Sequence, residues 1–299
     1  MPGASVQIYV KDLIEEYRRS TTFRKLAHTS KLLYEITLKK FAPYHSIYLR
    51  DLHRRDVLKH LDFYHDRPGT YRIVRALWGI LFRFAVDRDY LPFAPVLRID
   101  APKTGAYRAW TPEQVRFALD HWPEPLRRVV LLAVFTSQRR GDLIRMTWSQ
   151  YDGLGIALTQ GKTGTSLYIP AHQLLKQELD LWRVDGSSEY IIENNGRPWN
   201  EKTLSKAFRR QADRHPITRG LVLHGLRKTA AILLSESSCT IHEIAAITGH
   251  KTLAMIAHYT KAAEQLRLSR VAIEKLNTAF LGAPPKSDQC LSVASINQL

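Results

Sequence analysis

The sequence is poor in cysteine and contains no long apolar run. Its two cysteines, Cys239 and Cys290, are too few for a disulfide framework and lack the spacing of a zinc site. The longest purely apolar segment, residues 129–135, is far shorter than the roughly 18 residues that a membrane-spanning helix needs. The N-terminus lacks the apolar core of a signal peptide. These absences exclude disulfide-stapled and membrane-spanning proteins, and they predict a cytoplasmic protein without a metal site.

The charge of the chain is strongly positive and evenly spread. The net charge is +16, and residues 1–105 and residues 106–299 each carry +8. A length of 299 residues predicts two domains, and both of them are basic. Two basic surfaces favour contact with a polyanion such as nucleic acid. A basic protein without a special partner is the alternative that charge alone leaves open.

Residues 1–98 are predicted to form a small helical bundle. Apolar residues recur at helical spacing in residues 10–17 and 73–84. Prolines at positions 92, 95 and 102 then favour a linker over residues 99–109. The basic residues of this bundle are candidates for DNA contact, with a merely solvated face as the alternative: Arg24, Lys25, Arg54, Arg55, Lys59, Arg72 and Arg75.

Residues 110–282 are predicted to form a second, mostly helical domain, followed by a loose tail at residues 283–299. Thr111 and Gln114 have the spacing of a capping box at a helix start. Alternating apolar residues on both sides of residues 161–164 predict a β-hairpin, and residues 190–192 suggest a further short strand. The fold class is therefore mainly α with a small β-hairpin. Further helices are predicted near residues 200–213, 225–236, 241–248 and 262–280.

The Gly161-Lys162-Thr163 segment invites a nucleotide-binding interpretation, which the sequence rejects. A phosphate-binding loop of that type requires a glycine where this chain has Ile156, and a helix where it has the second strand of the hairpin. Lys162 is therefore expected at the tip of a hairpin, from which its ammonium group reaches into a cleft.

A set of polar residues recurs in a definite order through the second domain. Each signal is weak alone, since a lone histidine or tyrosine is more often a packing residue than a catalyst. Their order and spacing together resemble the tyrosine recombinases, the phage-integrase family, over residues 110–280. The matching segments are Thr136-Ser-Gln-Arg139-Arg-Gly-Asp142, Gln160-Gly-Lys162-Thr-Gly, His224-Gly-Leu-Arg227 and Thr248-Gly-His250 through to Tyr259.

The resemblance implies a reaction on the DNA phosphodiester bond. Negative charge develops on the non-bridging oxygens, and arginine donates to two oxygens while remaining charged. The resemblance implies that Arg139 and Arg227 clamp the phosphate and that His250 is a further donor. His224 is expected in an acid/base role.

The remaining roles concern the groups that exchange bonds or protons. The resemblance makes Tyr259 the nucleophile, Lys162 the proton donor to the departing 5′ oxygen, and Asp142 a carboxylate that orients the arginines. A covalent phosphotyrosine conserves the free energy of the broken bond, so no nucleotide cofactor or metal is expected.

The chain departs from the family pattern beside two of these residues. Ser137 and Gln138 stand where glycine and an aliphatic residue are frequent, and Thr248 stands where leucine is frequent. These departures are expected to affect local packing and not the chemistry. The arm-site-binding domain of larger phage integrases is expected to be absent.

The resemblance implies a site-specific recombinase of bacterial or phage origin that acts through a 3′-phosphotyrosine and a Holliday junction. The expected use is integration or excision of a mobile element, with chromosome-dimer resolution, a type IB topoisomerase and a non-catalytic DNA-binding protein as alternatives. Its expected partners are duplex DNA with inverted-repeat core sites, three further copies of itself and accessory DNA-bending or directionality proteins. The amphipathic segment at residues 262–280 is expected to pack on a neighbouring copy.

Overall fold

A computed structural model describes residues 8–95, 99–102, 105–184 and 188–281. The chain divides into two compact units, Met1–Ala106 and Tyr107–Leu299. The division falls within residues 99–109, for which the sequence predicts a linker. The predicted tail, residues 283–299, lies outside the described residues. Among the helices described, none combines the length and the apolar character that crossing a membrane requires.

The N-terminal unit is a helical bundle built around its longest helix. That helix begins at Pro68, whose missing N–H and fixed φ suit the first helical position. One side of it is buried through Val74, Leu77, Trp78 and Leu81. The α-helices of this unit are α1 (Val10–Arg19), α2 (Thr21–Arg24), α3 (His28–Leu38), α4 (Arg54–Asp62) and α5 (Pro68–Val86).

An imidazole is buried in the centre of this bundle. Trp78 on α5 donates its indole N–H to Nδ1 of His60 on α4 over 3.0 Å. Phe41 packs against both rings, with centroid distances of 4.5 Å to Trp78 and 5.3 Å to His60. Burial lowers the pKa of His60 to about 4. The core of the bundle therefore depends on a neutral histidine.

Acid is expected to destabilise the N-terminal unit through His60. The unfolded chain, with a histidine pKa near ~6.5, binds the proton more tightly than the folded one. The stabilisation is therefore complete above pH ~6.5 and declines as the pH falls toward 4, by about 2 to 3 kcal/mol at pH ~4.5. Urea denaturation followed through the amide signals of α4 and α5 measures this loss. His60→Gln keeps an acceptor for Trp78 but does not titrate, so an equal pH dependence in both proteins would contradict the assignment.

The C-terminal unit packs its helices around a two-stranded hairpin. The strands pair in antiparallel register, with Ile156 opposite Ile169 and Leu158 opposite Leu167. This confirms the predicted mainly α fold with a small β-hairpin. The elements of this unit are α6 (Pro112–His121), α7 (Glu124–Thr136), α8 (Arg140–Leu143), β1 (Gly155–Thr159), β2 (Ser166–Pro170), α9 (Gln173–Val184), α10 (Glu201–Asp213), α11 (Leu223–Glu236), α12 (Ile241–Thr248) and α13 (Leu253–Leu281).

Two local predictions differ from this arrangement. Residues 190–192 do not form a strand, since Tyr190 makes only an isolated bridge with Thr147. The last helix begins at Leu253 and not near residue 262. No proline or glycine interrupts residues 253–262, so one helix continues through them and includes Tyr259.

Helices α7 and α11 form the scaffold of the C-terminal unit. Val129, Val130 and Leu132 of α7 and Leu226 of α11 are buried in its core. The backbone N–H of Trp110 donates to the Thr229 hydroxyl over 2.7 Å, which ties the start of the unit to α11. Arg227 of α11 lies beside the turn that follows α7, where it bonds to the backbone oxygen of Ser137.

Candidate active site

Arg139 lies in the tight turn between α7 and α8. Helix α7 ends because Ser137 adopts a left-handed conformation, with φ 55° and ψ 23°. Arg139 is half-buried and donates from Nη1 to Oε1 of Gln160 over 2.8 Å. The adjacent Arg140 turns away and pairs with Glu201. The fold thus gives two neighbouring arginines different partners, and Arg139, which the resemblance singled out, contacts Gln160.

Arg227 is buried in α11 and connects two segments of the site. Only 3% of its surface is exposed. Its Nη1 donates to the backbone oxygen of Ser137 over 2.6 Å, and its Nη2 lies 3.0 Å from Nε2 of His250. A buried guanidinium is tolerated because its N–H groups are bonded. Arg227 therefore fixes the turn before Arg139 relative to His250.

His250 follows the glycine that ends α12. Because a guanidinium only donates, Nε2 of His250 accepts from Arg227, and the ring proton lies on Nδ1. Nδ1 is 2.7 Å from the hydroxyl of Thr248. The sequence predicted that position 248 affects packing alone, whereas the Thr248 hydroxyl is a direct hydrogen-bond partner of His250. Gln138 is connected to Thr248 through Gln160, whose side chain bonds to both residues.

Lys162 lies on the exposed turn of the hairpin, as predicted. One oxygen of Asp142 accepts from the backbone N–H of Gly161 over 2.9 Å and from Arg145 over 2.8 Å. A Cβ at position 161 would overlap the Arg145 guanidinium, so the end of that flexible side chain would have to move. These hydrogen bonds of Asp142 support the Lys162 turn, whereas the sequence placed the carboxylate beside the clamping arginines. Its partner differs because the backbone of Gly161, 19 residues further along the chain, approaches the carboxylate in the folded unit.

Positive charge surrounds both histidines of the site. Burial, followed by the charges of Arg227 and Arg139, lowers the pKa of His250 to about 4. Partial burial, followed by the charges of Arg227, Arg139 and Lys162, lowers the pKa of His224 as well. His224 is also exposed to solvent, which screens part of this electrostatic effect. Both imidazoles are therefore neutral at pH 7.

Tyr259 lies in α13, nine residues after His250. Its side chain lies outside the part of the chain that the structure describes. The same helix carries exposed apolar side chains toward its C-terminal end, at Leu268, Ile273, Leu276 and Phe280.

The basic residues predicted for DNA contact lie on α4 and α5 and at the end of α2 in the N-terminal unit. Arg75 differs from the others, because it is half-buried and donates to the backbone oxygen of Ile99 over 2.6 Å. This bond holds residue 99 against α5. The remaining six are exposed: Arg24, Lys25, Arg54, Arg55, Lys59 and Arg72.

The sequence model of the phage integrase family matches residues 110–265. The chain belongs to the phage integrase family. The match covers the turn of Arg139, the hairpin of Lys162, α11, α12 and the first part of α13. Within the described residues of this integrase-family chain, no three His, Cys, Asp or Glu side chains converge as metal ligands would.

Curated relatives and solved structures agree with this membership. The chain is 29% identical to the integrase of Escherichia phage HK022 over 232 residues, which are 71% of this chain and 64% of that protein. It is 25% identical to a shufflon-specific DNA recombinase of Escherichia coli, over 93% of this chain and 72% of that protein. The chain thus spans less than two thirds of the HK022 integrase.

The fold is shared with solved integrase structures. A lambda integrase dimer bound to a core site superposes with a TM-score of 0.73 at 23% identity, over 86% of this chain and 78% of that one. The integrase of transposon Tn1549, in complex with a circular intermediate DNA, reaches a TM-score of 0.73 at 15% identity, over 88% and 99%. At such identities the similarity establishes the fold alone.

Proposed function

We propose that this protein is a site-specific DNA recombinase that breaks and rejoins duplex DNA through a phosphotyrosine at Tyr259. The observation that carries the proposal is the set of cations around two neutral imidazoles, formed by Arg139, Arg227 and Lys162. Such a group of preorganised donors fits a phosphate on which negative charge develops. Membership of the phage integrase family supports the same reaction.

The first step transfers the phosphate from DNA to protein. The hydroxyl oxygen of Tyr259 attacks phosphorus, the bond to the 5′ oxygen breaks, and a 3′-phosphotyrosine forms. A tyrosine hydroxyl has a pKa near ~10, so it needs a base at neutral pH. Neutral His224 takes that proton, and Lys162 protonates the departing 5′ oxygen. Attack by a 5′-hydroxyl on the phosphotyrosine reverses these steps and rejoins a strand, without a nucleotide cofactor.

His250 changes its role when phosphate binds. In the free protein its Nε2 accepts from Arg227, whereas a donor to a phosphate oxygen must carry the proton on Nε2. The hydroxyl of Thr248 donates as readily as it accepts, so it remains a partner of Nδ1 in both tautomers. Arg227 and His250 then both face the phosphate oxygens.

We further propose that the two units act together on an inverted-repeat core site as the N-terminal DNA-binding and C-terminal catalytic domains. Lambda integrase, whose fold is shared, has been solved as a tetramer bound to a Holliday junction. The exposed apolar end of α13 suits packing on a neighbouring copy.

Truncation before residue 268 is expected to abolish assembly of the protein on DNA. Light scattering measures the size of the complex, and a tetramer that remains intact would contradict this role of α13.

Covalent trapping on DNA tests the proposed reaction. The purified protein is mixed with fragmented genomic DNA of the organism that encodes it and denatured, and the protein-linked DNA is sequenced. Adducts that cluster at one inverted-repeat site are expected. Adducts without sequence preference would favour a topoisomerase, and tight binding without any adduct would favour a non-catalytic DNA-binding protein.

Lys162→Ala is expected to slow cleavage by about 10²- to 10⁴-fold, because the departing 5′ oxygen loses its proton donor. A 5′-bridging sulfur should restore the rate, since a thiol has a pKa near ~8.5 and leaves without protonation. Single-turnover cleavage of both substrates measures the effect, with the exposed Lys202→Ala as control. Failure of sulfur to restore the rate would remove Lys162 from the acid role.

A further inference from the structure

A group of buried polar side chains lies directly behind the arginines of the site. Gln138, Gln160 and Thr248 expose 2%, 0% and 0% of their surfaces. Burying an amide costs free energy unless each of its polar atoms is hydrogen-bonded. Their presence in the C-terminal unit therefore requires that their bonding be complete, and Gln160 meets that requirement.

The side-chain amide of Gln160 uses all four of its hydrogen-bonding positions. Its oxygen accepts from Nη1 of Arg139 over 2.8 Å and from the hydroxyl of Thr163 over 2.7 Å. Its nitrogen donates to the side-chain oxygen of Gln138 over 2.6 Å and to the backbone oxygen of Thr248 over 2.9 Å. The opposite orientation of the amide would set its NH₂ group against the guanidinium, two donors facing each other.

These four bonds join segments that are far apart in the chain. Gln138 and Arg139 lie in the turn after α7, Thr163 is adjacent to Lys162, and Thr248 precedes the Gly-His segment. Gln138 extends the group by donating to the backbone oxygen of Ile247 over 3.0 Å. One buried amide thus contacts the segments that carry Arg139, Lys162 and His250.

Close packing at Gly249 shows how little room this amide has. Gly249 has φ +67°, and a Cβ there would lie 2.5 Å from Nε2 of Gln160. Glycine is required both for the left-handed backbone and for the approach of the amide. The end of α12 is therefore fitted to Gln160, which restricts the amide to one position.

We propose that Gln160 is a positioning residue, whose neutral amide holds the Arg139 guanidinium in place for the scissile phosphate without neutralising its charge. A carboxylate at this position would hold Arg139 as firmly but would compete with the phosphate for its positive charge. An uncharged oxygen acceptor orients the guanidinium and leaves its charge available to the transition state. This inference rests on the proposed function of the site.

Two substitutions at position 160 separate orientation from charge. Gln160→Met removes the hydrogen bonds at similar volume, and we expect covalent adduct formation to slow by about 10- to 100-fold. Gln160→Glu adds a competing negative charge and removes two donors, so we expect a loss of about 10²- to 10³-fold. The affinity for DNA is expected to change by less than about threefold in both variants, since the many other phosphate contacts remain.

A neutral substrate distinguishes the charge effect from general damage. A methylphosphonate at the scissile position lacks one charged oxygen, so its reaction depends less on the charge of Arg139. The gap between wild type and Gln160→Glu should shrink by at least about tenfold on it. An equally large gap on both substrates would overturn the charge argument.

A matched control comes from another buried glutamine of the same unit. Gln211, on α10, is 6% exposed, and its side-chain oxygen accepts from Nη1 of Arg214 over 3.2 Å. Gln211→Met and Gln211→Glu repeat both chemical changes at an amide–arginine pair that contacts none of the proposed reacting groups. Adduct formation is expected to stay within about twofold of wild type. Equal losses at positions 160 and 211 would overturn a specific role for Gln160.

A measurement without DNA tests Gln160 separately from the reaction. In arginine-labelled protein, we expect the Nη signals of Arg139, assigned through Arg139→Lys, to show hindered rotation that is lost in Gln160→Met. Free rotation in the wild type would overturn the positioning role whether or not the protein cleaves DNA. Hindered rotation without any wild-type adduct would instead overturn the proposed function and leave the link between Gln160 and Arg139 standing.

Discussion

Tyr259→Phe is expected to abolish the covalent protein–DNA adduct while DNA binding stays unchanged. The substitution removes the one oxygen that is proposed to bond to phosphorus. We expect adduct formation to fall by at least about 10⁴-fold, below the detection of a denaturing gel. The affinity for DNA should remain within about twofold, because no charge that contacts phosphate is altered.

Tyr168→Phe is the matched control for this experiment. Tyr168 lies on β2, and its hydroxyl donates to Asp152 at 3.1 Å, away from the cations of the site. It should form adducts at the wild-type rate. An adduct that persists in Tyr259→Phe would assign the nucleophile to another residue, and peptide mapping of the adduct would identify it.

Arg227→Ala is expected to reduce cleavage by at least about 10³-fold. A single transition-state donor of this kind contributes about 10²- to 10³-fold, and Arg227 in addition carries a charge and orients two neighbours. Its side chain links the Ser137 carbonyl to His250, so its loss also disturbs the turn before Arg139. Single-turnover cleavage at saturating DNA measures the loss in kcat, which separates it from weaker binding.

The same variant has a second readout that does not depend on cleavage. The charge of Arg227 is, after burial, the leading cause of the low pKa of His250. Removing that charge should raise the pKa of His250 from about 4 toward its ordinary value, which histidine NMR titration measures. Arg227→Lys retains a charge but not the planar fork, so its His250 pKa should stay low while cleavage is still impaired. An unchanged His250 pKa in Arg227→Ala would contradict the contact between the two side chains.

Local sequence patterns predicted much of the secondary structure around the site, although they missed the start of α13 at Leu253. The β-hairpin followed from alternating apolar residues on both sides of Gly161 and Gly164, and the structure confirms it. The capping box of α6 was equally predictable, since Thr111 and Gln114 bond each other's backbone over 3.2 and 3.0 Å. Patterns of this kind depend on neighbours within a few residues.

Contacts between distant segments were not predictable in the same way. The sequence placed Asp142 beside the arginines because it follows Arg139 by three residues, but its carboxylate bonds to Gly161 of the hairpin. Gln160 belonged to a motif that matched the family, but the sequence assigned no role to Gln160 itself. The unusual residues Gln138 and Thr248 were the only indication that position 160 has one. Their bonds to Gln160 span 22 and 88 residues, a separation for which periodicity and spacing contain no information.

The order of amino acids alone was sufficient to propose the reacting groups of this protein: two arginines, a lysine, two histidines and a tyrosine in the sequence and spacing of one family. These features depend on residue type and on spacing along the chain, so they can be recognised without knowledge of the fold. The folded arrangement was needed to show that Arg139 and not Arg140 faces Gln160, that Arg227 bonds His250, and that Asp142 supports the Lys162 turn. The physical reason is that a buried guanidinium or amide must bond whatever partner the packed core leaves within about 3 Å.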